Sequence, residues 1–213
     1  MNAILSAESL TFGYEADTPL IREWSAQFDR GEVVAITGPS GRGKSTLLYL
    51  LGLMLKPTSG HVRLGTREAS YYSDRERARL RACEYGFVFQ DAALDPSRSV
   101  IDNVIEATLY RDVSRDDALP RANELLERFG VALRAHARPG QISGGQSQRI
   151  ALCRALLGNP TVLLADEPTG NLDRPTAAVV MDAFHEAAHN GASVIVVTHD
   201  LALVNSCTRV IEL

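Results

Sequence analysis

An α/β fold built around a buried, mostly parallel sheet is what this 213-residue chain predicts, and three observations carry that prediction. The first is the order strand, glycine loop, helix. Glu32-Val33-Val34-Ala35-Ile36-Thr37 is an apolar, β-branched run, Gly38 to Thr46 is glycine-rich, and Leu47 to Leu51 is an apolar run that reads as a helix. The second is a set of further short apolar runs, Tyr85 to Gln90, Thr161 to Ala165 and Ser193 to Val197, each followed by polar or charged residues. The third is a change of character between about Asp91 and Gly140. Strand signals vanish there, and two amphipathic patterns, Val100 to Tyr110 and Asp116 to Phe129, predict helices inserted into the sheet domain.

Composition sets the frame. The chain is 45% hydrophobic and 23% charged, an ordinary globular balance, and its length suits one domain with a sizeable core. A formal net charge of −4 argues against a general nucleic-acid binder, which usually carries a basic surplus. Only Lys44 and Lys56 are lysines, the other 20 cations being arginine, so one of the two lysines falls in the glycine loop. Cys83, Cys153 and Cys207 are scattered without metal-ligand or redox spacing and suit buried thiols in a reducing compartment. No signal peptide is evident, and the longest apolar run, about Leu47 to Leu55, is half a membrane span. Work at a membrane would therefore need another chain as the anchor.

Along the chain, Leu5 to Thr11 and Trp24 to Phe28 read as strands, with Asp29 to Glu32 as the turn into the buried run. Tyr14, just past the first strand, is either a base-stacking aromatic or a half-buried strand-end tyrosine. In the loop Gly38-Pro39-Ser40-Gly41-Arg42-Gly43-Lys44-Ser45-Thr46, glycines let successive N–H groups turn inward while the new helix aims its positive end at the same point. Lys44 can then reach the β- and γ-phosphates of a nucleoside triphosphate, and the Ser45 hydroxyl can ligate Mg²⁺. Lys56-Pro57-Thr58-Ser59-Gly60 is a turn, and His61 to Leu64 a strand. Ser73 and Asp74 cap a helix whose arginines 75, 77, 79 and 81 spread around it, in keeping with a solvated helix; the sharper alternative is contact with an acidic partner or lipid headgroups. Gln90 ends its strand at the carboxyl end, where α/β sheets bind ligands, and is placed to reach Mg²⁺ or its waters.

Ile142-Ser143-Gly144-Gly145-Gln146 precedes the helical run Ser147 to Leu157. A serine cap alone does not explain paired glycines, which cost helix stability; a second anion-binding nest does. Thr161 to Ala165 runs into Asp166-Glu167, and an acidic pair after five apolar residues is costly unless it has work to do. One carboxylate can address Mg²⁺ through its waters while the other faces a nucleophilic water. Asn171-Leu172-Asp173 is a turn before a helix from about Pro175 to Asn190, and His199 follows the last buried strand on the same edge. Thr208 to Glu212 closes the chain as a short strand. Within the long helix, His185-Glu186-Ala187-Ala188-His189 matches the zinc-protease pattern, but no convincing third ligand follows, so zinc chemistry is not expected.

Taken together these motifs resemble the ATP-binding cassette (ABC) ATPase family over essentially the whole chain. Gly38 to Thr46 is similar to its Walker A motif, Gln90 to its Q-loop glutamine, Ile142 to Gln146 to its LSGGQ signature, and Leu163 to Glu167 to Walker B. Asn171 to Asp173 is similar to the D-loop, His199 to the switch histidine and Tyr14 to the adenine-stacking aromatic. Ala165 to Asp173 and Gly86 to Gln90 most resemble the lipoprotein-release and macrolide-export subgroup (LolD/MacB/FtsE type). The resemblance implies one domain over 1–213: a P-loop NTPase (RecA-like) core, an N-terminal antiparallel β subdomain and a helical signature subdomain inserted at about 91–157. It implies ATP and Mg²⁺ as cofactors, with Ser45, Gln90 and Asp166 organising the metal, Glu167 polarising the attacking water and His199 contacting the γ-phosphate. Its sites are shared between two copies, Lys44 of one and Ser143 and Gly145 of the other clasping one γ-phosphate, with Gly144, Gln146 and Asp173 at the same interface. The implied partners are that second copy and a separate permease, whose coupling helix would meet the surface around Gln90 and the helices after it, holding this chain at the cytoplasmic face of the membrane. Nucleic acid is not an implied partner, although a non-transport member acting on nucleic acid or ribosomes is the alternative. Ile142 for leucine, Ser147 after Gln146 and Arg42 for a small residue depart from the family pattern without removing a catalytic group; the different wording from Asp91 to Ser97 implies a different partner, and no regulatory extension is expected after Leu213.

Overall fold

The computed structural model describes residues 3–15, 18–108, 110–170 and 172–213. In chain order its strands are β1 (Ala3–Phe12), β2 (Ile21–Asp29), β3 (Val33–Thr37), β4 (Ser59–Leu64), β5 (Arg67–Glu68), β6 (Tyr85–Val88), β7 (Val162–Asp166), β8 (Ser193–Val197) and β9 (Arg209–Glu212). The helices are α1 (Lys44–Leu51), α2 (Asp74–Glu84), α3 (Val100–Ile105), α4 (Arg115–Arg128), α5 (Gly144–Leu156), α6 (Arg174–His189) and α7 (Leu201–Ser206). They form an α/β fold with two sheets. One is antiparallel, in the order β2-β1-β4-β5; the other is parallel throughout, in the order β6-β7-β8-β3-β9.

The parallel strands read as unbroken apolar runs because both of their faces are covered. Alternation divides each strand between two cores. Val34, Ile36, Val162, Leu164, Ile195 and Val197 join the core shared with α1 and the antiparallel sheet. Val33, Leu163, Ala165, Val194 and Val196 join the core shared with α3, α4, α5 and α6. Each such valine, leucine or isoleucine side chain, fully buried, contributes about 1.5–3 kcal/mol. Between β6 and β7 the described residues hold helices and turns, packed on the second core through Val100, Val104, Leu125, Leu126 and Ile150.

Local chemistry fixes the helix starts. Ser73 caps α2 and Ser143 caps α5, each in a reciprocal box with the residue three positions on, Glu76 and Gln146; Asp173 caps α6 from the Thr176 amide. Several boundaries differ from the sequence expectation. β6 stops at Val88, so Phe89 and Gln90 lie beyond the sheet. The helix expected over Val100 to Tyr110 ends at Ile105 and tightens into one 3₁₀ turn, Glu106–Thr108. α5 begins at Gly144 rather than Ser147 and takes both glycines into its first turn. Helix α2 is not uniformly solvated: Arg77 is buried beside Asp74, and Arg81 donates to the Leu53 carbonyl at 2.7 Å. The pattern in sequence shows only that arginines are spread, not which of them lie under a neighbouring turn. Among the described residues no helix is long and apolar enough to cross a membrane.

Candidate functional site

Strand register assembles the site. Val88 pairs with Ala165, Asp166 with Val197, and Ile36 with Val197, so β6, β7, β8 and β3 end side by side. The residues that follow them, Gln90, Glu167, His199 and the glycine loop, therefore meet at one carboxyl edge. They line a cleft of about 470 Å³ with Ser40, Gly41, Gly43, Lys44, Ser45, Thr46 and Asp166, and with Leu20 and Val197.

The loop is shaped for an anion. Gly43 caps α1 at φ +88°, in the left-handed region, and a Cβ there would strike the Leu20 and Ile21 side chains at 2.9–3.0 Å. Helix α1 has no side-chain cap and no acid in its first turn, leaving its first amides for a ligand. Lys44 is buried, and its Nζ donates to the Gly38 and Pro39 carbonyls at 2.8 and 3.0 Å. The ammonium is thus held over the loop by neutral acceptors that a phosphate can replace.

The two carboxylates diverge as the strand ends. Asp166 is 2% exposed and faces the loop, and one of its oxygens, Oδ1, is buried with no hydrogen-bond partner. Burial raises its pKa, and the Ser45 hydroxyl and Lys44 charge pull it down in part. An orphaned carboxylate oxygen beside a serine hydroxyl and Gln90 is an all-oxygen donor set that fits Mg²⁺. Glu167 turns the other way, at φ +47° and with its side chain 12% exposed. Its Oε1 lies 2.7 Å from His199 Nδ1 and its Oε2 3.3 Å from Thr198 Oγ1, while its amide donates to the Val197 carbonyl. A left-handed glutamate costs about 1–2 kcal/mol and is kept where surrounding bonds over-determine it. The His199 side chain is 75% exposed, and its second ring nitrogen makes no hydrogen bond among the described residues.

Burial raises the Glu167 carboxyl pKa, with His199 and Thr198 opposing. A carboxyl that is harder to ionise when folded adds stability below its ordinary pKa, and that stability is lost as pH rises through the raised value. At neutral pH the ionised Glu167 therefore weakens the nucleotide-free fold. Glu167→Gln should melt about 1–3 °C higher at pH 7 and gain nothing at pH 4, where both side chains are neutral. Equal gains at the two pH values in thermal melts would contradict this assignment.

Other residues singled out in the sequence do not line the cleft. Tyr14 is 70% exposed rather than half-buried; it packs edge-on against Phe12 and its hydroxyl sits 3.3 Å from Thr46 Oγ1, at the foot of the loop. Arg42 is exposed, with no hydrogen bond or ion pair among the described residues. Ser143, Gly144, Gly145 and Gln146 do not line the cleft. Gln146 is spent on the Ser143 amide at 2.9 Å, and a Cβ on Gly144 would meet nothing within 4 Å. Asp173 is occupied as a helix cap, and Asn171 lies outside the described residues. His185 and His189 are exposed, and Glu186 pairs with Arg128. Thr198 and Leu20 are site residues that sequence reading missed. A threonine beside a histidine carries no signal of its own, and Leu20 reaches the cleft through the antiparallel sheet. A second cleft, about 550 Å³ and mostly apolar, lies between α2, β6 and the inserted helices, lined by Met54, Arg81, Phe87, Phe89, Tyr110 and Arg154 among others.

Comparison with known proteins gives consistent matches. Residues 21–170 match the family model described as ABC transporter. The chain is 44% identical over 184 residues to the lipoprotein-releasing system ATP-binding protein LolD 1 of Rhodospirillum rubrum, covering 86% of this chain and 81% of that one. It is 43% identical over 199 residues to the macrolide export ATP-binding/permease protein MacB of Rhodopseudomonas palustris, covering 93% of this chain but only 30% of that longer protein. Among solved structures it superposes on the dimeric post-hydrolysis state of the ATP-binding cassette MJ0796 bound to ADP and Pi, with a TM-score of 0.91 and 33% identity over 98% of this chain and 94% of that one.

Proposed function

This chain belongs to the ABC transporter family, in its ATP-binding and ATP-hydrolysing branch, and we propose that it powers a separate membrane permease by closing, as a homodimer, over two ATP molecules. The observation that supports this most is the single cleft in which Lys44, Ser45, Asp166, Glu167 and His199 converge. In this reading Lys44 exchanges the Gly38 and Pro39 carbonyls for β- and γ-phosphate oxygens, and the free amides at the start of α1 take the remaining charge. Ser45, Asp166 and Gln90 would hold Mg²⁺, which when bound would supply positive charge against the charge developing on the phosphate. Glu167, held by His199 and Thr198, orients water in line with the γ-phosphorus. The new P–O bond forms as the β–γ bridge breaks, ADP leaves with the electron pair, and the water's proton passes toward the carboxylate.

The site is half complete. The Ser143-Gly144-Gly145 turn is open, capped and outside its own chain's cleft, which suits a nest that serves the γ-phosphate of a second copy. The apolar cleft beside β6 is the proposed seat of a permease helix, placing the chain at the cytoplasmic face of the membrane. The likeness to LolD and MacB favours a permease of the lipoprotein-release or macrolide-export type. The test is phosphate release from ATP by the isolated chain at several protein concentrations. A shared site makes specific activity climb steeply with concentration before it saturates; a flat specific activity would refute the shared site.

A further inference from the structure

The segment on both sides of Gln90 is held in place by helix α5. Gln148 Nε2 donates to the Phe89 carbonyl at 3.1 Å, and the two terminal nitrogens of Arg154 donate to the Ala93 and Ala92 carbonyls at 2.7 and 2.8 Å. Ala92 and Ala93 are consecutive left-handed residues, φ +61° and +46°, in a region that alanine adopts only under constraint. Arg154 makes no ion pair among the described residues, so its guanidinium serves these carbonyls alone. Gln148 is buried, and Gln90 itself lines the nucleotide cleft. The same helix is capped by Ser143, about 16 Å from Arg154 along its axis.

We infer that Arg154, backed by Gln148, is a positioning residue: it fixes the strained turn that presents Gln90 to the cleft and ties that turn to the helix bearing Ser143. When α5 shifts, Gln90 shifts with it. The proposal rests on the reading of Gln90 as a group addressing Mg²⁺ or its waters, and it adds what sets Gln90's position.

The test is a double-mutant cycle on the full chain. Arg154→Met should lower kcat about tenfold and raise the Mg²⁺ concentration for half-maximal turnover about fivefold, with KM for ATP changed less than twofold. In a Gln90→Ala background the same substitution should cost nothing further. Ala93→Gly, which suits a left-handed turn, should recover at least about threefold of the Arg154→Met loss. Without nucleotide or metal, amide exchange across residues 90–94 should quicken about tenfold in Arg154→Met. Should that variant not fold, Gln148→Leu replaces it with the same signs and smaller factors. Multiplicative losses in the double variant, or unchanged exchange, overturn the inference while leaving the role of Gln90 intact. If Gln90→Ala alone leaves the Mg²⁺ dependence unmoved, the role of Gln90 falls and the inference falls with it.

Discussion

Glu167→Gln is expected to slow ATP turnover by roughly 10³-fold without weakening nucleotide binding, because in the proposed mechanism it removes the carboxylate that orients the attacking water and nothing that touches the loop. Asp166 cannot substitute. It faces Ser45 and Lys44 on the other side of the strand end, and the Ser45 hydroxyl and Lys44 charge act on it, not on Glu167. The amide keeps the size and can still meet His199 and Thr198, so the site stays assembled. The variant should therefore accumulate as an ATP-bound dimer, eluting at twice the monomer mass in size-exclusion chromatography. Turnover within tenfold of the parent would remove Glu167 from the chemistry.

Gly144→Leu is the second large effect, and it acts through a partner. The glycine has ordinary helical geometry in the first turn of α5, and an added Cβ meets nothing within 4 Å in its own chain. Replacing it should leave the monomer's fold intact, or firmer by up to about 1 kcal/mol, since glycine is a poor helix former. ATP should still bind to the loop of the same chain. Closure over the γ-phosphate of a second copy should fail, with turnover falling roughly 10²–10³-fold, the range for losing preorganised donors. A loss of melting temperature together with activity would mean that the glycine serves this chain's own packing.

The two variants mark how far the sequence alone reaches. A buried parallel strand must be apolar on both faces, so β3, β7 and β8 stand out as runs, and the polar residues after them must lie at a carboxyl edge. That reasoning alone placed Lys44, Asp166, Glu167 and His199 on one side of the sheet. It did not reach residues whose partners are distant in the chain. Thr198 meets Glu167 only because β7 and β8 are neighbours in register, and Leu20 enters the cleft from another sheet. The left-handed turn at Ala92 and Ala93 has no glycine or asparagine to announce it, because Arg154, some sixty residues on, supplies the constraint. Short helix α7 was missed for a related reason: its cap, Asp200, reads as part of a polar motif, and six residues carry little periodicity. The tetrad Ser143 to Gln146 was legible as a nest, yet its Gln146 side chain is committed to capping, which only the box geometry shows.

If each nucleotide site is made by two chains, mixing two inactive variants restores turnover. In a mixed dimer of Glu167→Gln and Gly144→Leu chains, one composite site carries both lesions and the other carries none. Each mixed dimer holds one intact site, so with Gly144→Leu chains in excess phosphate release should rise at least about tenfold above the sum of the separate variants. Turnover equal to that sum, at concentrations where the parent chain dimerises, would show that each chain hydrolyses ATP by itself.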